Sequence, residues 1–200
     1  LRGVKILVCA VERGDEVCIP DGSFELRAND KITVTAPRSE LVKMLKALKI
    51  SNQKIRDVLI IGGSKIAVYL AEELIKSGVN VKIIEQKLEK CRALSERLPS
   101  AVIINGDGTL QDLLSSEGIE ETDAVISLTN IDEENLVISM YADSCGVPKS
   151  ITKINRTEYL RLFKDRDIGS VICPKMLASY EIIRYVRAMD NTTGGSVKTM

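Results

Sequence analysis

The feature that most constrains the fold of this chain is a regular alternation that begins near residue 56. Short runs rich in valine and isoleucine are each followed by a segment whose apolar residues recur at helical spacing. Strands that are apolar on both faces are typical of a parallel sheet covered by helices on both sides. The sequence therefore predicts a Rossmann-like, doubly wound α/β domain with strands at Val58–Ile61, Val79–Ile84, Ala101–Ile104, Ala124–Leu128, Ser150–Ile154 and Ser170–Ile172.

The residues that precede this alternation show a different pattern. Val4–Val11 and Lys31–Ala36 are rich in β-branched residues, a Pro-Asp-Gly-Ser turn signal lies between them, and an amphipathic helical segment follows. Such a mixture is typical of a small α+β lobe. We therefore expect three parts: a small lobe at 1–49, a nucleotide-binding domain at 50–189, and a linker at 190–200 that leads to a following lobe absent from this chain.

The composition excludes several classes of function. The chain contains no histidine, so it lacks the base of Ser–His and Cys–His hydrolases and the commonest ligand of catalytic zinc. Residues 51–150 carry 16 acidic and 10 basic side chains, a balance that argues against a nucleic-acid partner. Five cysteines without a C-x-x-C pair indicate a reducing, cytoplasmic compartment. No apolar run approaches the ~18 residues of a membrane span.

A glycine-containing turn follows the first strand of the predicted sheet. Gly62, Ser64 and Ala67 occupy the three special positions of the G-x-G-x-x-G/A frame. Gly62 permits the tight turn, and the helix that follows offers free N–H groups at Gly63–Ile66, including Lys65, to a pyrophosphate. Ser64 departs from the three-glycine form, and its Cβ leaves less room for a phosphate to approach the backbone. An ordinary βα turn remains the alternative interpretation of this motif alone.

An acidic residue ends the second strand. Glu85 lies 23 positions after Gly62, where a carboxylate can accept hydrogen bonds from both ribose hydroxyls and repels a 2′-phosphate. Together with the strand, the glycine turn and the helix, it favours NAD or another adenosine ligand over NADP.

The segment after the third strand carries Gly106, Asp107 and Gly108. Its position beside the first strand predicts a wall on the adenine side of the ligand. In the alternative interpretation it is a turn in which Asp107 or Thr109 caps the next helix.

Polar residues also follow the fourth and fifth strands. Thr129 and Asn130 lie after the fourth strand, across the point where the strand order reverses and where ligands bind. Asn130 with Glu133 also fits a capping box. Lys153 and Arg156 after the fifth strand could neutralise phosphates or could simply be solvated.

Taken together, these motifs resemble the TrkA-type regulators of potassium uptake, which are built from RCK (KTN) domains. The most specific element is the Thr-Asn-x-Asp-Glu-x-Asn stretch at Thr129–Asn135. Residues 1–49 resemble the small C-terminal lobe of a preceding repeat. The segments that carry the resemblance in the nucleotide-binding half are Ile60–Ala67, Gly106–Asp107, Leu128–Leu136 and Lys153–Arg156.

The resemblance implies a regulatory subunit rather than an enzyme. It implies that NAD or NADH, with ATP or ADP as alternatives, controls potassium transport through a ligand-dependent conformational change. It also implies self-association as a dimer or a larger ring, and a cytoplasmic protein held at the inner face of the membrane by a potassium transporter subunit. The helix after Pro174, with Leu177, Tyr180 and Ile183 on one face, could serve as a contact between subunits or could pack on its own sheet.

Three other classes of function stay open at this point. A dehydrogenase needs a proton-handling residue, yet there is no histidine and no tyrosine is followed four positions later by lysine. A methyltransferase that uses S-adenosylmethionine would suit the glycine turn, Glu85 and Gly106–Asp107. That class ends its sheet in an antiparallel hairpin, whereas the sixth predicted strand leads into a helix. An interaction module without a ligand would be consistent with Ser64.

Overall fold

The computed structural model of the chain describes residues 4–14, 16–48, 54–162 and 169–193. The chain divides into two compact units, residues 1–54 and 55–200. This division lies close to the boundary at residues 49 and 50 that the sequence predicts.

The first unit is a small antiparallel sheet followed by a helix. Strands β1 (Leu7–Arg13), β2 (Glu16–Cys18) and β3 (Lys31–Thr35) lie in the order β2-β1-β3, and α1 spans Arg38–Ala47. The sequence predicted the first strand three residues too early and missed β2. Gly14, at φ +61°, allows the sharp reversal that brings β2 back along β1.

An ion pair ties the strands of the small unit to its long loop. The Arg13 guanidinium donates to both carboxylate oxygens of Asp30 at 2.8 Å, and the Arg27 N–H donates to the same carboxylate at 2.8 Å. Arg13 also donates to the Glu25 carbonyl and lies over the Phe24 ring. The hydrogen bonds from Arg13 lower the pKa of Asp30 to about 2. Small units bury little apolar surface. The hydrogen bonds of this pair therefore help to hold β1 and the loop at residues 25–30 together.

The second unit is a six-stranded parallel sheet with helices on both faces. Its strand order is β6-β5-β4-β7-β8-β9, so the order reverses at β4. Each strand begins and ends within one or two residues of its predicted bounds. The strands are β4 (Asp57–Ile61), β5 (Asn80–Glu85), β6 (Val102–Asn105), β7 (Ala124–Ser127), β8 (Ser150–Lys153) and β9 (Ser170–Ile172).

The helices of this unit follow the strands as the alternating pattern predicts. A short 3-10 turn at Ile119–Glu121 precedes β7. The helices are α2 (Lys65–Lys76), α3 (Leu88–Arg97), α4 (Gln111–Ser116), α5 (Asp132–Ser144), α6 (Thr157–Leu162) and α7 (Pro174–Thr193). None of the helices in the described ranges is long and apolar enough to cross a membrane.

Two apolar layers hold the sheet between its helices. Val58 and Ile60 of β4 pack on one face with residues of α2 and α3, while Leu59 and Ile61 pack on the other face with residues of α4 and α5. Successive side chains of a strand point to opposite faces, so this one apolar strand contributes to both layers. The doubly wound α/β fold predicted from the sequence is therefore confirmed.

Helix α7 departs from two of the expectations. Its apolar side chains are largely exposed, with Leu177 at 54%, Tyr180 at 60% and Ile183 at 45% exposure, so the interpretation that this face packs on its own sheet is wrong. The helix also continues through residues 190–193, which the sequence assigned to a linker. Residues 194–200 of that predicted linker lie outside the described residues.

The Arg13–Asp30 pair generates a prediction about pH. Asp30→Asn should destabilise the small unit at pH 7, because it removes the charge that Arg13 binds. The pKa of Asp30 is lowered in the folded chain, so its carboxylate contribution is complete above a free aspartate's pKa of about 3.9 and is lost as the pH falls through about 2. Differential scanning calorimetry should show a melting difference between wild type and variant that is constant from pH 7 to pH 5 and shrinks toward pH 2.

The control for this prediction is Asp21→Asn. The Asp21 carboxylate lies in the same unit but accepts hydrogen bonds from Ser23 rather than from a cation, so we expect a smaller difference. An Asp30→Asn effect that is unchanged at pH 2 would contradict an electrostatic role for Asp30.

Candidate nucleotide-binding cleft

A cleft of about 270 Å³ lies at the carboxyl edge of the parallel sheet. It is formed by the segments that follow β4, β5, β6 and β7, at the reversal of strand order where open α/β sheets bind ligands. Eight of the residues predicted from sequence are brought together here. They are Gly62, Gly63, Ser64, Glu85, Asp107, Gly108, Thr129 and Asn130.

A backbone contact at Gly62 forms the floor of the cleft. Gly62 has φ +99°, and a Cβ on it would lie 3.0 Å from the carbonyl carbon and oxygen of Leu128 and from the Thr129 nitrogen. Its N–H donates to the Ile84 carbonyl at 2.8 Å. Only glycine combines this φ with so close an approach, as the sequence motif predicted.

The first turn of α2 presents hydrogen-bond donors to the cleft. Ser64 is the N-cap, and its hydroxyl accepts the Ala67 N–H at 3.3 Å. The N–H groups of Ser64, Lys65 and Ile66 have no acceptor among the residues that the structure describes, as expected at a helix start. Of these three residues Ser64 lines the cleft, whereas the predicted site residues Lys65 and Ile66 are not part of its lining. The Ser64 hydroxyl therefore occupies one of the four N–H groups of this turn, that of Ala67, and leaves the other three for a ligand.

Glu85 is held rigidly at the end of β5. Its Oε2 accepts the Gly63 N–H at 2.8 Å, its Oε1 accepts the Lys87 N–H at 2.9 Å, and the residue is 7% exposed. A Cβ at Gly63 would lie 3.0 Å from Oε2 and 2.6 Å from Leu94 Cδ1, so glycine at that position lets the carboxylate reach the turn. Each carboxylate oxygen has a second lone pair for a ligand hydroxyl.

The cleft lining also includes three residues that follow Glu85 and were not predicted from the sequence, namely Gln86, Lys87 and Lys90. Gln86 donates to the Asp107 carboxylate at 3.2 Å. Lys87 lies next to it, and the Lys90 Nζ lies 3.9 Å from the Glu85 Oε2. The position of Lys90 in the first turn of the helix that starts beside the cleft was the available signal.

The segment after β6 forms a turn rather than a helix cap. The Asp107 Oδ1 accepts both the Thr109 N–H at 2.9 Å and the Thr109 hydroxyl at 2.7 Å. These bonds lower the pKa of Asp107. Helix α4 begins at Gln111 without a side-chain cap, so the capping interpretation of Asp107 and Thr109 is wrong.

Two glycines of this segment have different roles. A Cβ on Gly108 would overlap Cγ2 of Ile61, so glycine keeps this wall close to β4. Gly106 lies outside the cleft lining, and its N–H donates to the Glu85 carbonyl at 3.1 Å. Gly106 therefore supports the strand end that carries Glu85.

A buried asparagine shapes the loop after β7. The Asn135 Oδ1 accepts the Thr129 N–H at 2.8 Å, and its Nδ2 donates to the carbonyls of Thr129 at 3.1 Å and Lys153 at 2.9 Å. Asn135 is fully buried. The predicted Asn130–Glu133 capping box does not form, because the N-cap of α5 is Ile131 and no side chain caps it. The sequence signal for this residue was its place at the end of the Thr-Asn-x-Asp-Glu-x-Asn motif, which does not by itself indicate the contacts.

Lys153 and Arg156 are not part of the cleft lining. Lys153 is 6% exposed, and this burial lowers the pKa of its ammonium group, while the charge of Asp132 opposes the shift. It is therefore not the solvated lysine of the alternative interpretation. The Arg156 Nη1 lies 3.1 Å from the Tyr159 hydroxyl and 3.5 Å from Glu133 Oε1. These contacts, the Tyr159 hydrogen bond above all, raise the pKa of Arg156.

The contact at Gly62 generates a prediction that a matched variant can isolate. Gly62→Ala should cost about 1–2 kcal/mol of stability for its positive φ and about 1–3 kcal/mol more for crowding against Leu128 and Thr129. Gly78→Ala is the control, because Gly78 has φ +78° but nothing lies within 4 Å of a Cβ there. Urea unfolding of both variants measures the difference. Equal losses in the two variants would show that the Leu128–Thr129 contact is unimportant.

Comparisons with known proteins agree with this fold. The TrkA-N domain family matches residues 58–174. The Trk system potassium uptake protein TrkA of Halomonas elongata is 36% identical over 190 residues, 95% of this chain and 41% of that protein. A homologue from Archaeoglobus fulgidus is 33% identical over 92% of this chain and 42% of its own length.

A solved structure shares the fold at low sequence identity. The GsuK channel bound to NAD has a TM-score of 0.62 and 16% identity, covering 93% of this chain and 33% of that one. This chain spans about two fifths of the length of the curated relatives that it matches. Because the family match includes more than half of its residues, the chain belongs to the TrkA-N domain family.

Proposed function

We propose that this chain is the nucleotide-binding part of a regulator of potassium transport and that NAD or NADH is its ligand. The observation that carries the proposal is the combination of free N–H groups at the start of α2 with the fixed carboxylate of Glu85 in one cleft. The names of the TrkA relatives and of the NAD-bound GsuK channel support it.

The residues of the cleft fit a dinucleotide. The backbone N–H groups of Ser64, Lys65 and Ile66 would hold the pyrophosphate, since a helix start favours an anion. Glu85 would accept hydrogen bonds from the adenosine ribose, and the Asp107–Gly108 turn would lie beside the adenine. ATP or ADP would use the same donors. A bound dinucleotide supplies shape and charge here rather than a reaction.

The loop after β7 is the part of the cleft that can transmit ligand binding to the rest of the sheet. Thr129 and Asn130 line the cleft, and Asn135 joins Thr129 to the end of β8 at Lys153. A ligand shifts a conformational equilibrium only by its difference in affinity for the two states. We infer that contacts with this loop provide that difference.

The rest of the regulator and its partner are also part of the proposal. Because this chain is about two fifths as long as its relatives, a further nucleotide-binding lobe and a small lobe would complete the protein. Residues 1–49 would be the small lobe of a preceding repeat. The assembled protein would be cytoplasmic and held at the membrane by a potassium transporter subunit.

The ligand proposal predicts an order of stabilisation. NAD and NADH should raise the melting temperature of the chain more than NADP does, because Glu85 accepts ribose hydroxyls and repels a 2′-phosphate. A ligand at 100 times its dissociation constant adds about 2.7 kcal/mol, so thermal shift resolves the series NAD, NADH, NADP, ATP, ADP and S-adenosylmethionine. The Gly62→Ala variant should lose the response.

Two results would contradict this proposal. Stabilisation by S-adenosylmethionine alone would favour a methyltransferase. Oxidation of NADH that depends on a carbonyl substrate and scales with protein concentration would favour a dehydrogenase. The proposed regulator binds NADH without consuming it, so the absorbance of the reduced nicotinamide should stay constant.

Self-association through α7 is the proposed route to a dimer or ring. Leu177, Tyr180 and Ile183 are each about half exposed on this 20-residue helix. Apolar surface of this extent on a soluble protein marks an interaction site. A second copy of the helix offers a complementary apolar face, as isologous dimers require.

Light scattering at micromolar concentration tests this contact. Wild type should have at least twice the monomer mass of 22.0 kDa, and Ile183→Glu should lower the mass by placing a charge in the apolar contact. Ala178→Glu is the control, because Ala178 is exposed on the side of α7 opposite Ile183. A monomeric wild type, with and without NAD, would contradict the proposed contact.

A further inference from the structure

Lys90 lies where it can act on the ligand that the cleft is proposed to bind. It is in the first turn of α3 and lines the cleft, with Nζ 3.9 Å from Glu85 Oε2. Its side chain is 46% exposed, whereas that of Glu85 is 8% exposed. The two charges therefore differ in their surroundings: the carboxylate is buried and held by hydrogen bonds, and the ammonium group is half exposed to solvent.

The fixed carboxylate defines one side of the specificity. Backbone N–H groups of Gly63 and Lys87 hold the two oxygens of Glu85 from different directions. The carboxylate cannot turn away from an incoming anion without losing one of these bonds. A ribose 2′-phosphate, with a charge of about −1.5 to −2, would meet this negative charge at close range.

The positive charge of Lys90 has the opposite effect on a 2′-phosphate. Lysine carries its charge on a flexible four-carbon stem with three donors, so Lys90 can leave Glu85 and pair with a phosphate beside it. NAD has a hydroxyl at this position instead of a phosphate, so Lys90 meets no anion there and stays near Glu85. Lys90 thus interacts differently with ligands that differ only at the 2′ position.

We propose that Glu85 and Lys90 together set the discrimination between dinucleotides with and without a 2′-phosphate. Glu85 favours NAD, and Lys90 reduces the penalty for NADP, so the cleft prefers NAD but also binds NADP. This inference rests on the proposed function, because it requires the cleft to bind a dinucleotide.

Isothermal titration calorimetry of the whole 200-residue chain with NAD and with NADP tests the pair. Lys90→Met keeps the stem and removes the charge, so it should raise the Kd for NADP about fivefold, the effect of one partly exposed charge pair, and change the Kd for NAD by less than about twofold. Lys76→Met is the matched control, because Lys76 pairs with Glu73 on α2 and does not line the cleft. It should change neither Kd.

A second pair of variants tests whether the two charges act together. Glu85→Gln should tighten NADP binding and weaken NAD binding. In Glu85→Gln combined with Lys90→Met, the gain for NADP should disappear, because the cation that receives the phosphate is gone. The melting temperature of each variant without ligand identifies loss of folding, and in that case the Lys90→Met comparison decides alone.

Each remaining outcome overturns a different statement. If the wild type binds NAD and Lys90→Met changes both Kd values equally, or changes neither, the role of Lys90 is wrong and the proposed function stands. If the wild type binds neither dinucleotide, the proposed function is wrong and the inference falls with it.

Discussion

The close contact between the Gly62 backbone and the Leu128–Thr129 peptide determines the shape of the carboxyl edge of the sheet. The turn after β4 and the loop after β7 meet there without a side chain between them. On the other side, the Gly62 N–H extends the pairing of β4 with β5 by donating to the Ile84 carbonyl, so that the next N–H, that of Gly63, can reach Glu85. The donors for an anion and the acceptor for a sugar are then held on one rigid frame before a ligand arrives. Preorganisation of this kind lowers the ordering cost of binding.

A second set of contacts extends this frame across the sheet. The Asp132 carboxylate accepts N–H groups from Asn155 and Arg156 at 2.9–3.0 Å, as Asn135 does from Thr129. Ser139 and Thr152 share a hydrogen bond in the same buried layer. Buried polar groups are costly when their partners are lost. The loops after β7 and β8 are therefore coupled, and a change in one loop requires compensation in the other.

The parts of this structure that the sequence predicted are those with local causes. The apolar runs predicted the parallel sheet, and the spacing from Gly62 to Glu85 predicted two sides of the cleft, because a βαβ unit brings these positions together by its own geometry. The hydrogen bonds of Asn135 were not predicted, since they depend on the carbonyl of Thr129 in the loop after β7 and on that of Lys153 at the end of β8. The Asn130–Glu133 pattern was misleading because the conformation of this loop is set by the hydrogen bonds from Asn135 to Thr129 and not by a capping side chain. Lys90 was missed because the distance between its Nζ and Glu85 depends on how α3 leaves β5.

The exposure of α7 has a consequence for the life of the chain after synthesis. A helix of 20 residues with apolar side chains in water presents a surface that any other exposed apolar segment can bind. In the proposed self-association a second copy covers this surface, and before that step the newly made chain is open to aggregation and to the chaperones and proteases that act on such surfaces. If α7 is the proposed contact, the supply of the second copy limits how much of this chain a cell can keep in a usable form. The proposed contact would thus link assembly and abundance through one helix that lies far from the glycine turn in the sequence.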